Sequence, residues 1–231
     1  MPEVTVGSTS GYLAVPAGPP PGPWPGVVVI HESWGLNGDI RAHADRLAAQ
    51  GYLALAPDLY RGKSFVRCFR DAFRQLHAGT GPVVDLLDKA RAVLAARPDC
   101  TGKIGVLGFC MGGGFALLCA PRGDFSVASV NYGEVPGDAE RVLAGSCPIV
   151  ASYGARDPMG AGPPQRLEEA LTALNVPHEV KVYPGAGHSF MSTQPAALTP
   201  LARLARLDYK PESAEDSWRR IFAFFGEHLD S

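Results

Sequence analysis

The segment LGFCMGGG, residues 107–114, sets Cys110 in a G-x-C-x-G pattern between Gly108 and Gly112. A thiol becomes a strong nucleophile only as thiolate. It needs a base to take its proton and an environment that favours negative charge. Two later residues could complete that chemistry. Asp157 closes PIVASYGARD, and His188 stands in YPGAGHSF, each just beyond a β-branched run. In this order His188 can take and return the proton while Asp157 fixes its tautomer. Glu32, in HESWG (31–35), is a further acid on an early loop. A free cysteine is most often a small core residue, and Cys119 is read that way. The five cysteines contain no C-x-x-C pair, which speaks against a zinc site or a disulfide framework. His31, His43, His77, His178 and His228 lack a comparable setting and read as surface or structural residues.

The elements around these residues alternate. Strands are expected at 11–17, 25–32, 52–59, 103–109, 125–133, 147–157 and 178–185. Helices are expected near 38–49, 64–78, 82–97, 111–119 and 163–174. The 11–17 strand is expected at a sheet edge. The tail SAEDSWRRIFAFFGEHL carries Trp218, Ile221, Phe222 and Phe225 at helical spacing, with Ser213 and Asp216 as candidate caps. Such alternation builds a mostly parallel sheet with helices on both faces. The Pro/Gly-rich PAGPPPGPWPG reads as a surface turn, so residues 1–231 are taken as one domain.

A strand, a tight turn and a helix around a G-x-nucleophile-x-G motif make the nucleophile elbow of α/β-hydrolases, and that is the fold expected here. The order nucleophile, acid, histidine is the one that fold uses. Its oxyanion hole would be formed by the backbone N–H groups of Ser33 and Met111.

Composition narrows the partners. The chain has 231 residues, 46% hydrophobic and 19% charged, with a formal net charge of −2. That balance gives no reason to expect nucleic acid or an anionic membrane. No apolar run approaches the roughly 18 residues of a span, and no signal segment opens the chain. A cytoplasmic enzyme with reduced thiols and no metal or other cofactor is expected. Its oligomeric state is left open.

The stretches VVVIHESWGLN, GYLALAPDLYRG, KIGVLGFCMGGG, VNYG, ASYGARDP and VYPGAGHSF resemble the dienelactone hydrolase (carboxymethylenebutenolidase-like) family over residues 11–229. The resemblance implies a Cys110–His188–Asp157 triad that opens an ester or lactone through an acyl-enzyme. It implies that Glu32 bonds the resting thiol and swings away when substrate binds, and that Trp34 and Tyr132 line the pocket. The family holds a substrate carboxylate with two arginines. At one of those positions this chain has Ser192, and for the other it offers Arg67, Arg70 or Arg74, with Arg70 the candidate taken forward. The same residues could run acyl transfer or thioester cleavage, and the fold could also serve as a non-catalytic ligand binder or redox sensor.

Overall fold

A computed structural model describes residues 3–18, 22–60, 65–158, 162–193 and 209–229. Eight strands form one sheet: β1 (Glu3–Val6), β2 (Thr9–Ala14), β3 (Trp24–Ile30), β4 (Leu53–Pro57), β5 (Cys100–Phe109), β6 (Val127–Asn131), β7 (Ile149–Gly154) and β8 (His178–Tyr183). Their order is β1-β2-β4-β3-β5-β6-β7-β8. β1 and β2 run antiparallel, and β4 through β8 are parallel. The β2 segment was expected at an edge; instead β1 caps it and takes the edge. β1 has only four residues, with its first three not fully buried, too short for a period-2 pattern to stand out.

Seven α-helices flank the sheet among the described residues: α1 (Gly38–Ala48), α2 (Phe65–Ala78), α3 (Pro82–Ala95), α4 (Met111–Cys119), α5 (Ala139–Val142), α6 (Gly162–Ala173) and α7 (Pro211–Leu229). Alternation along β5 shows that both faces are covered. Ile104 lies toward Leu94 of α3, while the next residue, Gly105, faces Phe225 and Leu229 of α7. Parallel strands covered this way must be apolar throughout, and Val27, Val28, Val29 and Ile30 of β3 are each fully buried.

On the α7 face His43 of α1 stacks on Phe109 and tilts against Trp218. Arg46 lies over the Trp218 ring and reaches Glu215. Helix α7 begins at Pro211, which suits the first turn because proline has no N–H to satisfy. Ser213 and Asp216 therefore lie inside the helix and are not its caps. Asp216 instead accepts hydrogen bonds from Lys181 Nζ (2.6 Å) and Tyr183 OH (2.8 Å) of β8. Among the described residues no helix is long and apolar enough to cross a membrane.

Candidate active site

Cys110 stands where β5 turns into α4. Its φ of 54° and ψ of −118° are strained for an L-residue. The strain is held by both flanks. Its N–H donates to Asn131 O (3.0 Å) on β6, and its C=O receives Gly113 N–H (2.9 Å) from the first turn of α4. A side chain on Gly108 would overlap the Gly112 carbonyl, and one on Gly112 would overlap the Ile30 carbonyl. The G-x-C-x-G spacing is thus a steric demand of the turn. Tyr132 (φ 43°) and Ser189 (φ 56°) are also left-handed, so backbone strain gathers around this site.

The loops after β7 and β8 bring the acid and the base together. Ala155 N–H donates to Tyr183 O (2.9 Å) and Arg156 N–H to Ala186 O (2.8 Å), which ties one loop to the other. Asp157 Oδ2 then lies 2.7 Å from His188 Nδ1, with both side chains nearly buried. That contact leaves Nε2 as the nitrogen that can receive the thiol proton, and Cys110 is close enough to act on the imidazole. Burial alone would lower the imidazole pKa. The hydrogen bond to Asp157, then the influence of nearby Cys110, outweigh burial and push it up to about 10.

On the β3 side, His31 is fully buried. Its Nε2 accepts from Leu59 N–H (3.2 Å), so Nδ1 carries the proton and donates to Glu32 O (2.6 Å). Gly35 N–H donates to the same carbonyl at 3.1 Å. The peptide is trans and planar, so pinning the Glu32 carbonyl aims the Ser33 N–H the opposite way. The next carbonyl, that of Ser33, accepts from Tyr60 OH at 2.7 Å. Among the described residues neither Ser33 N–H nor Met111 N–H has a backbone acceptor, and Met111 opens α4, where free N–H groups favour negative charge.

The Glu32 carboxylate is buried. Its Oε1 accepts from Tyr132 OH (2.9 Å) and Ser192 Oγ (3.0 Å). Burial pushes its pKa up, against those donors and the charge of His188. The resemblance implied a resting Glu32–Cys110 hydrogen bond. In this structure the thiol instead has Ser33 Oγ as its hydrogen-bond partner, 3.8 Å away. Tyr132 and Ser192 were expected in the substrate pocket. They are 1% and 2% exposed, and both hydroxyls donate to Glu32, as a buried carboxylate requires. Trp34 is exposed beside the site. Arg70 and Arg74 are exposed on α2, and Arg74 pairs with Asp71. The Arg67 side chain lies outside the described residues. Sequence reasoning missed the Tyr60 clamp and the His31 bridge, although HESWG and PDLY carry both residues next to the proposed oxyanion loop. Among the described residues no group of three or more His, Cys, Asp or Glu could hold a metal.

The family model for the dienelactone hydrolase family matches residues 9–229. The chain belongs to that family. It is accordingly a carboxymethylenebutenolidase-like ester or lactone hydrolase. A protein named "Putative carboxymethylenebutenolidase" from Saccharolobus solfataricus is 30% identical, over 92% of this chain and 91% of its own. One of the same name from Yersinia pestis is 30% identical over 90% of this chain and 79% of its own. A crystal structure described as a putative dienelactone hydrolase from Klebsiella pneumoniae superposes with a TM-score of 0.82 at 28% identity, covering 98% of both chains. A Thermogutta terrifontis esterase, 17% identical with a TM-score of 0.62 over 94% of this chain and 89% of its own, shares the fold.

Proposed function

We propose that this dienelactone hydrolase family member works as a single α/β-hydrolase domain that opens small esters or lactones through a cysteinyl acyl-enzyme, in the cytoplasm. The observation that carries the proposal is His188 bonded to Asp157 at 2.7 Å, with Cys110 at the elbow close enough to act on the same imidazole. Cys110 is the nucleophile, His188 the proton carrier and Asp157 its orienting acid. A raised imidazole pKa suits His188 to take the thiol proton, which gives the thiolate–imidazolium pair that attacks.

Cys110 Sγ attacks the carbonyl carbon, and the C=O electron pair moves onto oxygen as the C–S bond forms. Ser33 N–H and Met111 N–H receive that oxyanion. Its collapse breaks the ester C–O bond, and the His188 Nε2 proton passes to the leaving alkoxide. The sulfur of the resulting thioester no longer carries charge, so the Cys110 contribution to the imidazole pKa disappears. His188 then takes a proton from water, whose oxygen attacks the thioester. The second collapse expels thiolate and restores the ion pair. Glu32, held by Tyr132 and Ser192, supplies a carboxylate whose field favours the imidazolium and so the thiolate.

The experiment is hydrolysis of p-nitrophenyl acetate by wild type and Cys110→Ala, with intact-protein mass spectrometry of a quenched reaction. Loss of a triad nucleophile costs on the order of 10⁴-fold or more, and an acetyl group should be trapped on Cys110. A tenth of wild-type activity remaining in Cys110→Ala would remove the assignment. An acyl-enzyme resolved by an added alcohol or amine faster than by water would make the protein an acyltransferase. A thiol that forms no adduct would favour the ligand-binding or redox-sensing reading.

A further inference from the structure

The mechanism above draws on Ser33 only through its backbone N–H, yet the side chain faces the nucleophile. Ser33 Oγ lies 3.8 Å from Cys110 Sγ, and among the described residues it meets no second hydrogen-bond partner. A serine hydroxyl is a donor that turns freely about one bond. Here its base is fixed: His31 and Gly35 pin the preceding carbonyl, and Tyr60 OH pins its own. Burial, with the nearby charge of Cys110 adding to it, pushes the Tyr60 pKa up. The phenol therefore remains a donor throughout the working range. Turning the hydroxyl costs the freedom of one torsion in a residue that is otherwise held.

We propose that the Ser33 hydroxyl is a third oxyanion donor. It rests against Cys110 Sγ in the empty site and turns onto the substrate carbonyl oxygen as charge develops there. In the tetrahedral adduct sulfur and oxygen share one carbon, so the charge leaves sulfur for an atom beside it. A donor already within reach of Sγ, on the residue whose N–H serves the hole, can follow that charge without backbone movement. The interaction strengthens between ground state and transition state, the condition for raising kcat. The inference rests on Cys110 being the nucleophile.

The test uses full-length wild type, Ser33→Ala and Ser33→Thr, each checked for folding by thermal melting. Two rates are measured on each: p-nitrophenyl acetate turnover, and alkylation of Cys110 by iodoacetamide, which forms no oxyanion. Ser33→Ala should lose about 10- to 100-fold in kcat, at or below the range seen for losing an oxyanion donor, with KM little changed. Ser33→Thr, which keeps the hydroxyl, should recover most of the loss, and alkylation should stay within about threefold across the set. A Ser33→Ala kcat within twofold of wild type overturns the proposal. So does an alkylation rate that falls in step with kcat, since the hydroxyl would then serve only the thiolate. Wild-type turnover that survives complete alkylation of Cys110 overturns the nucleophile itself, and the third donor with it.

Discussion

Ser192 Oγ donates to Glu32 Oε1 at 3.0 Å, joining positions 160 residues apart in sequence. The serine is 2% exposed and belongs to the buried carboxylate. Where the resemblance calls for a substrate-clamping arginine, this chain has a short neutral donor that is already engaged.

A consequence for substrate charge follows. Hydrogen bonds to charged groups are worth about 1.5–3 kcal/mol each, so lacking one arginine of a pair should blunt any preference for an anionic lactone. Arg70 and Arg74 are exposed, and Arg74 is engaged with Asp71. Neutral esters of matched size should therefore reach kcat/KM within about tenfold of dienelactone. The check is a direct comparison on wild-type enzyme. A dienelactone preference of a hundredfold or more would show that another cation holds the carboxylate.

The triad should leave a signature in the pH profile. In the proposed mechanism the thiolate–imidazolium pair is competent while His188 holds its proton, so kcat/KM should fall on the alkaline side as pH rises through about 10. Asp157→Asn removes the largest contribution that raises this pKa, and the sign is then fixed: the alkaline limb must move to lower pH. It should do so by at least one unit, together with a large fall in the plateau. An Asp157→Asn profile that keeps the wild-type limb would detach Asp157 from His188 in function.

Much of this was legible in sequence, for reasons that differ between elements. The buried parallel strands declare themselves through β-branched runs such as VVVI in β3. The elbow is visible because only glycine fits beside Cys110, and Asp157 and His188 fall just past strands. The four-residue β1 and the α5 turn at Ala139–Val142 are too short for any periodicity to register. The partners of Glu32 were not legible either. Tyr132 and Ser192 meet it only because parallel crossovers bring the ends of β3 and β6 and the turn after β8 to one edge. A hydroxyl in sequence does not announce which carboxylate it will serve.

His43 should contribute to acid sensitivity. Its ring stacks on Phe109 with centroids 4.6 Å apart and tilts against Trp218 at 5.3 Å. Its Nε2 is buried without a hydrogen-bond partner among the described residues. Burial lowers its pKa to about 4, with the charge of Asp39 opposing and that of Arg46 assisting. An unfolded histidine binds a proton below about 6.5, whereas the folded ring resists until about 4. Between those values the unfolded state holds more protons, so stability falls as pH falls. The gap corresponds to about 3 kcal/mol lost across the window, on the scale of 1.36 kcal/mol per pKa unit. His43→Phe keeps a flat ring against Phe109 and Trp218 but carries no titrating nitrogen. Wild type should lose several degrees of melting temperature between pH 6.5 and 4, and His43→Phe should flatten that slope. It should melt no lower than wild type at pH 7, since it also removes an unpaired buried nitrogen. Parallel slopes for the two proteins over this window would mean that other groups govern the acid limb.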